Sequence, residues 1–232
     1  MAASLTWLGH ASFRIDSPGG KRIYVDPWLS GNPKCPQDEQ EPERVDLIAL
    51  THGHMDHVGD TVELAKRFDC PVVALVELRD WLTMQGVAED TGQEQSPNKG
   101  GTTTLDGISI TLTEAQHSSS WTDLTYLGEP AGLVIRLEDG YKLYFAGDTN
   151  VFGDMSLIRR LYEPDIAVLP IGDHYTMGPN EAAVALELLG VKRCVPCHWG
   201  TFPLLSGTPG RLRELAPGVE VVDVEPGGTI AL

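Results

Sequence analysis

Hydrophobic residues occur along this chain in short, nearly continuous runs, at 45–50, 71–76, 166–171 and 194–197. Runs of this length are typical of strands buried on both faces. Alternating patterns around Gly-containing turns predict further strands at 5–16, 21–26, 102–113, 133–137, 142–145 and 219–232. Helical spacing predicts helices at 60–68, 77–85, 154–162, 180–189 and 209–215. Asp60 is the expected N-cap of the first of these helices.

The predicted elements repeat one order in the two halves of the chain: strands first, then strands alternating with helices. No sequence repeat and no Pro/Gly/Ser-rich linker separates the halves. We therefore predict one α/β domain over residues 1–232. An αβ/βα sandwich, with two mixed sheets facing each other and helices outside, suits the pattern, although other α/β arrangements also fit it.

Charge narrows the classes of partner. The 232 residues include 17 Lys and Arg against 33 Asp and Glu, which gives a net charge of −16. This charge argues against binding of nucleic acid or an anionic membrane. We expect no signal peptide, because the N-terminus lacks a basic segment and an apolar run. Four cysteines are too few for a disulfide scaffold, so we expect the reducing cytoplasm.

The densest polar cluster, 51–57, directly follows the predicted strand at 45–50 and reads Thr-His-Gly-His-Met-Asp-His. In an extended segment, side chains two residues apart point the same way, so His52 and His54 can bind one ion together. Asp56 and His57 follow at the turn before the next helix. Imidazole and carboxylate groups are typical ligands of zinc. A solvated polar loop is the alternative, and it does not explain so many ligand-type residues together.

Other residues of the same types also lie where predicted strands end. They are His117, Asp148 and His198. Each alone has an equally good structural explanation. Their shared position favours a common site, because functional side chains collect at strand ends.

These residues resemble the metal ligands of the metallo-β-lactamase superfamily in order and spacing. The sequence is most similar to one branch, the UPF0173 metal-dependent hydrolases, which are relatives of the ascorbate-6-phosphate lactonases. The matching segments span the whole chain: Trp7-Leu-Gly-His10, Val25-Asp-Pro-Trp28, Thr51–Thr61, His117-Ser-Ser-Ser120, Tyr126-Leu-Gly-Glu-Pro-Ala-Gly132, Ala146-Gly-Asp-Thr149, Phe152-Gly-Asp-Met155, Pro170-Ile-Gly-Asp173, Tyr175-Thr-Met-Gly-Pro179 and His198-Trp-Gly-Thr-Phe-Pro203.

The resemblance implies an αβ/βα sandwich and a two-metal site at one edge of its sheets. It implies that the first ion is held by His52, His54 and His117, the second by Asp56, His57 and His198, and that Asp148 bridges them. Two ions about 3.5–4 Å apart can share a water and lower its pKa towards neutrality. We therefore expect hydrolysis of an ester, lactone or phosphoester, with Asp56 orienting the hydroxide or taking a proton. Zinc is the expected metal, with manganese, nickel or iron as alternatives.

Two histidines remain. His10 lies in the Gly-His segment of the family, and we expect it at the edge of the site as a catalytic residue. His174 stands before a segment expected to line the substrate pocket and is a candidate general acid. Each has a structural alternative, as a hydrogen-bonded histidine outside the chemistry. Asp26 is either a hydrogen-bond partner behind a ligand histidine or a turn residue before Pro27.

Several other residues are candidates for substrate binding, each with a packing or surface alternative: Ser118, Thr176, Met177 and Trp199, with Trp28 and Phe202 as further members of an aromatic wall. Cys194 and Cys197 are spaced as in redox and zinc motifs. However, residues three apart in a strand face opposite sides, so we expect two packed cysteines that neither pair nor chelate an ion.

The main expectation is a small-molecule hydrolase. A nuclease or phosphodiesterase acting on RNA or cyclic nucleotides is the first alternative, and the acidic chain without a basic arm argues against it. A non-catalytic metal or ligand sensor is the second, and the complete ligand set argues against it. A flavin-linked reductase is disfavoured because no flavodoxin domain is attached. The sequence leaves the substrate and any homo-oligomer open.

Overall fold

The computed structural model describes residues 2–89 and 96–232 and contains two β-sheets. Six strands form the first sheet, in the order β13-β1-β2-β3-β4-β5. The strands β3, β4 and β5 are parallel, and the others pair antiparallel. Their bounds are β1 Ser4–Trp7, β2 Phe13–Asp16, β3 Arg22–Val25, β4 Leu47–Ala49, β5 Val72–Val73 and β13 Thr229–Ala231.

Seven strands form the second sheet, in the order β12-β11-β10-β9-β8-β7-β6. The strands from β9 to β12 are parallel, whereas β6 to β9 form an antiparallel meander. Their bounds are β6 Thr102–Leu105, β7 Ile108–Glu114, β8 Ala131–Arg136, β9 Lys142–Phe145, β10 Ile166–Pro170, β11 Arg193–Cys197 and β12 Glu220–Val221.

Helices cover the outer face of each sheet. The helices α1 to α3 follow strands of the first sheet, and α4 to α6 follow strands of the second. A short 3₁₀ turn, Gln37–Glu39, lies in the loop between β3 and β4. The helix bounds are α1 Met55–Val58, α2 Thr61–Phe68, α3 Val76–Met84, α4 Met155–Tyr162, α5 Pro179–Leu189 and α6 Pro209–Leu215.

The hydrophobic core has three layers, and the alternation of side chains along each strand creates them. Leu47 and Ala49 of β4 pack between the two sheets. Ile48, which lies between them in sequence, and Leu50, which follows the strand, pack under the helices. The second sheet repeats this division, with Val168 between the sheets and its neighbours under α4 to α6. The two facing sheets with helices outside confirm the predicted αβ/βα sandwich. Because the strands are buried on both faces, each sheet needs cover on both sides.

Most predicted elements match the structure to within a few residues, but one prediction was wrong and another holds only in part. The pattern at 5–16 is two strands, because the chain turns at Gly9 and His10, which adopt φ of 91° and 54°. Asp60 is the N-cap residue of α2, as predicted, but its side chain makes no capping hydrogen bond. Its carboxylate instead accepts from the backbone N–H groups of Leu29 and Ser30, at 2.6 and 3.1 Å, and so joins that loop to the helix.

Candidate metal centre

The candidate ligands follow strands that run in one direction within each sheet. In the first sheet, β1, β3 and β4 are co-directional, and in the second sheet so are β7, β9 and β11. The segments after their carboxyl ends therefore meet at one edge of the sandwich. These segments supply His10, Asp26, 52–57, His117, Asp148 and His198.

Three histidines form a group that we call the imidazole cluster: His52, His54 and His117. Their donor atoms lie within 4.8 Å of one another. The Nε2 atom of His52 is 3.0 Å from Nδ1 of His54. His52 is buried, whereas the other two are half-buried. The hydroxyl of Ser118 lies 3.4 Å from Nε2 of His54.

Four side chains form a second group, the carboxylate cluster: His10, Asp56, His57 and His198. Their donor atoms also lie within 4.8 Å of one another. The Oδ2 atom of Asp56 is 2.9 Å from Nε2 of His10 and 3.8 Å from Nε2 of His198. The three histidines are fully buried. His10 was expected at the edge of the site, and the structure places it inside this cluster.

Asp148 lies between the two clusters. Its Oδ2 atom is 3.1 Å from Nε2 of His198 and 3.3 Å from Nε2 of His57, both in the carboxylate cluster. The same oxygen is 3.5 Å from Nε2 of His117 and 4.0 Å from Nε2 of His52, both in the imidazole cluster. One carboxylate oxygen therefore faces ligand atoms of both clusters.

Asp26 supports two of these histidines from behind. Its Oδ2 atom is 2.8 Å from Nδ1 of His57 and accepts the hydroxyl of Thr51 at 2.6 Å. That hydroxyl oxygen is also 3.0 Å from Nδ1 of His52. With a proton on each Nδ1, both imidazoles donate away from the centre, and each Nε2 presents a lone pair to it. This is the usual support of a metal-binding histidine.

The position of His10 depends on an unusual backbone. Its φ of 54° is left-handed, and its carbonyl accepts the indole N–H of Trp7 and the backbone N–H of His198, both at 2.9 Å. The Nδ1 atom is 3.0 Å from the hydroxyl of Thr201. In the tautomer with the proton on Nε2, His10 donates to Asp56 and accepts from Thr201.

The imidazole cluster is electrostatically suited to neutral histidines. Burial, together with the neighbouring imidazoles, lowers the pKa of His52 well below its ordinary value. Burial also lowers the pKa of His54 and His117. Neutral imidazole is the form that binds a metal.

In the carboxylate cluster, burial and the neighbouring carboxylates shift the histidine pKa values in opposite directions. Burial disfavours a charge on His198, but the adjacent Asp148 outweighs burial and raises its pKa to about 9. Asp148 and Asp26 likewise raise the pKa of His57 against the effect of burial. Burial and the adjacent His198 lower the pKa of His10 to about 4. Despite their burial, Asp56 and Asp148 have lowered pKa values because of the histidines around them.

Buried polar atoms test whether these residues fit metal ions. Within the described residues, Nε2 of His57 and Oδ1 of Asp148 are among the buried polar atoms without a hydrogen-bond partner. Such an atom costs about 1–3 kcal/mol unless another partner satisfies it. The six imidazoles of the two clusters, together with the carboxylates of Asp56 and Asp148, have the chemistry of divalent-cation ligands. The residues of the two clusters therefore fit divalent metal ions.

A cavity of about 410 Å³ opens onto both clusters, and we call it the site cavity. Of the four residues predicted to bind substrate, only Ser118 lines it. The sequence interpretation did not assign Met55 or Tyr175 to the site, and it left Phe202 undecided between an aromatic wall and the core. The lining consists of His54, Met55, Asp56, His117, Ser118, Asp148, Tyr175, His198 and Phe202.

The other predicted contacts lie away from the lining. Met177 is buried in the core under α4 to α6, and Trp199 stacks on Trp7 at 5.5 Å, so both occupy packing positions. Thr176 is half-buried and donates to the carbonyl of Met177 at 3.3 Å. His174 is exposed and contacts the edge of the Tyr175 ring. The pattern of polar and apolar residues could not distinguish these positions, because they lie in loops.

Two supporting residues were also missed. Thr51 and Thr201 each contact a site histidine through a hydroxyl group. Both lie within the segments that carry the family resemblance, and that position is the only sequence signal for them. Cys194 and Cys197 are free and pack on opposite faces of β11, as expected from their spacing.

In the described parts of the chain, no helix combines the length and the apolar character needed to cross a bilayer.

Comparisons with known proteins agree with this geometry. The model of the Beta-lactamase superfamily domain matches residues 21–199. The UPF0173 metal-dependent hydrolase of Koribacter versatilis (strain Ellin345) is 45% identical over 228 residues, covering 97% of this chain and 96% of the relative. That of Herpetosiphon aurantiacus is 48% identical over 232 residues, covering 97% and 95%.

Solved structures show the same architecture. The metallo hydrolase Igni18 from Ignicoccus hospitalis superposes with a TM-score of 0.88 at 34% identity, covering 100% of this chain and 99% of that one. An isothiocyanate hydrolase from Delia radicum gut bacteria superposes with a TM-score of 0.72 at 23% identity, covering 99% and 98%. The second likeness shows the fold alone.

Proposed function

The chain belongs to the UPF0173 metal-dependent hydrolases of the beta-lactamase superfamily, and from this membership we propose that it cleaves an ester, lactone or phosphoester of a small molecule. Two divalent ions would serve the reaction. Zinc is the first candidate because five of the seven ligands are imidazoles. Manganese, nickel and iron are the alternatives that metal analysis distinguishes.

The position of Asp148 carries this proposal. Its Oδ2 atom lies within 4.0 Å of Nε2 of four histidines, two in each cluster. A carboxylate in this position supports two ions rather than one. The imidazole cluster would hold the first ion, and Asp56, His57 and His198 would hold the second, with Asp148 between them.

Bound divalent ions would activate a water and polarise the oxygen at the scissile bond. Asp56 is the carboxylate that substrate can approach, because its side chain is 23% exposed, against 4% for Asp148. We assign Asp56 to orient the attacking water and accept its proton. The hydroxyl of Ser118, exposed in the site cavity beside His54, would position the substrate.

The proposed reaction needs only water as co-reactant. The oxygen of water bonds to the acyl carbon or to phosphorus, and the bond to the leaving oxygen breaks with its electron pair. The proton taken by Asp56 finally reaches that leaving oxygen. No oxidant or reductant is consumed, so an attached redox partner is unnecessary. The net charge of −16 supports a small molecule over nucleic acid as the substrate.

Metal analysis followed by a substrate panel tests the proposal. Purified protein should contain about two ions per chain and should hydrolyse esters, lactones or phosphodiesters after reconstitution with Zn²⁺ or Mn²⁺. Asp148→Ala and His54→Ala should lower both metal content and turnover. Asp80→Ala, on the exposed face of α3, is the matched control and should change neither.

Two results would contradict the proposal. One is undiminished hydrolysis by a folded Asp148→Ala variant. The other is a fully metal-loaded protein that is inert across the panel, which would favour a sensor. Filter binding at low salt adds a separate check, because saturable affinity for RNA would favour a nuclease.

A further inference from the structure

The site cavity has two chemically different parts. Five of its nine lining residues belong to the metal centre: His54, Asp56, His117, Asp148 and His198. The remaining four are Ser118 and three residues with large apolar surfaces. Of these, Met55 is 44% exposed and Tyr175 is 49% exposed, so they lie towards solvent, whereas Asp148 and His198 are buried. A substrate that reacts at the buried end therefore places the rest of its structure against apolar side chains.

No cationic side chain faces that apolar part. Every Lys and Arg of the chain lies in residues 2–89 and 96–232, and none of them lines the site cavity. Many are paired with carboxylates elsewhere, as in Arg14 with Glu39, Lys99 with Glu114 and Arg193 with Glu220. Recognition of a phosphate or carboxylate away from the reacting bond normally uses such groups.

The surrounding residues constrain Phe202 and Tyr175, which form the two aromatic walls of the site cavity. The ring of Phe202 packs beside Trp28 at 6.0 Å and against the edge of His10 at 5.2 Å. Tyr175 follows Asp173 and His174, which both adopt left-handed φ, of 65° and 61°. Two consecutive non-glycine residues in this conformation are rare, and such strain collects at functional sites.

We propose that the site cavity selects substrates with an uncharged apolar body, which Met55, Tyr175 and Phe202 contact while the scissile group lies at the metal clusters. This substrate class rests on the hydrolase function proposed above. The volume of about 410 Å³ is within the range of cavities that enclose small molecules. Aromatic walls favour flat or aliphatic groups, and the strongly negative chain disfavours an anionic body.

Matched esters with the same leaving group test the selection. The zinc-loaded enzyme would be compared on p-nitrophenyl butyrate and mono-p-nitrophenyl glutarate, which differ mainly by a terminal carboxylate. We expect kcat/KM to favour the neutral ester by about tenfold or more, the cost of one unpaired charge in the cavity. An equal rate or a preference for the glutarate would overturn the proposal.

Binding of inhibitors tests the same selection without turnover. Benzohydroxamate and para-carboxybenzohydroxamate both chelate metal ions, and only the second carries a charge on its body. Calorimetry should give a Kd about tenfold lower for the uncharged compound. If both esters resist hydrolysis but this preference holds, the hydrolase proposal fails for esters and the selection stands. If the Kd values are equal, the selection fails.

Substitutions at the mouth of the cavity complete the test. Met55→Lys should reverse the preference between the two hydroxamates, because it places a cation beside the bound body. Met84→Lys is the matched control, since Met84 is exposed on α3 and does not line the cavity. Phe202→Ala should weaken the binding of benzohydroxamate several-fold, measured as a higher Kd. An unchanged preference in Met55→Lys, with metal content preserved, would overturn the assignment of these walls.

Discussion

The imidazole cluster and the carboxylate cluster share Asp148 but are held in different ways. Two of the three histidines in the imidazole cluster are half-buried, and Ser118 at their side is exposed. In the carboxylate cluster, three histidines are fully buried, and Asp26, Thr201 and Trp28 contact them from behind. Both clusters border the site cavity, through His54 and His117 on one side and Asp56 and His198 on the other, but the histidines of the carboxylate cluster are the more deeply buried.

The two clusters also differ in their electrostatic environments. Burial lowers the pKa values of the histidines of the imidazole cluster, whereas the carboxylates of Asp56 and Asp148, whose pKa values are lowered, bring negative charge to the histidines of the carboxylate cluster. A dication compensates that charge directly. We therefore expect the two proposed ions to differ: the ion of the carboxylate cluster should stabilise the fold more, and the ion of the imidazole cluster should exchange more easily.

Removal of metal should have the largest effect and should separate the two clusters. Titration with a chelator should abolish activity when the first ion leaves, with little change in Tm. Loss of the second ion should then lower Tm by about 5–10 °C, since binding at 100 times Kd contributes about 2.7 kcal/mol. Calorimetry beside metal analysis measures both steps. Loss of both ions in one step would remove the distinction.

Asp26→Asn should weaken metal binding about 10–100-fold, as for other groups that orient ligands. The carboxylate of Asp26 accepts three hydrogen bonds, from Thr51 N–H, from the Thr51 hydroxyl and from His57. An amide accepts at one oxygen only, so its N–H₂ forces a donor out of place. Metal competition assays measure the loss. Asp165→Asn is the control, because Asp165 accepts a backbone N–H far from the site.

His10→Asn should lower kcat/KM about tenfold, as expected for loss of one positioning hydrogen bond to a charged group. Asparagine tolerates the left-handed backbone but is too short to contact both Asp56 and Thr201. The imidazole cluster should keep its ion, which metal analysis would show. Glu163→Asn, at another left-handed position, controls for the backbone. Loss of both ions would mean that His10 supports the whole centre.

Thr51→Val should have the smallest effect, about fivefold on metal affinity, which corresponds to one hydrogen bond of about 1 kcal/mol. It removes the hydroxyl between Asp26 and His52 while leaving the contact of Asp26 with His57. The effect should therefore fall on the imidazole cluster. Thr6→Val, which removes another buried hydroxyl bonded to Thr229, should leave metal affinity unchanged. Equal weakening in both variants would indicate a general loss of stability.

The sequence predicted the parts of the fold and site that depend on local pattern. The alternation in β4 places it between two apolar layers, and the spacing of His52 and His54 places their side chains together. Co-directional strands then bring distant strand ends to one edge. The α/β class and the convergence of the ligand-type residues follow from these regularities, whereas the choice of the αβ/βα sandwich among α/β arrangements rested on the family resemblance.

Other features depend on contacts that the pattern does not encode. The turn at His10 interrupts an alternation that otherwise continues from β1 into β2, because the backbone there bonds to Trp7 and His198. The carboxylate of Asp60 bonds to the backbone of Leu29 and Ser30 and not to its own helix. The spacing of residues along the helix does not encode this tertiary contact. The cavity walls Tyr175 and Phe202 lie on loops, whose paths depend on tertiary packing.

The distribution of ligands along the chain has a consequence for the order of events during synthesis. His10 follows β1 and His198 follows β11, so the two are far apart in the order of synthesis, yet both belong to the carboxylate cluster. No nascent fragment that lacks β11 can contain that cluster, so an ion of the kind proposed above could be held there only once synthesis has passed β11.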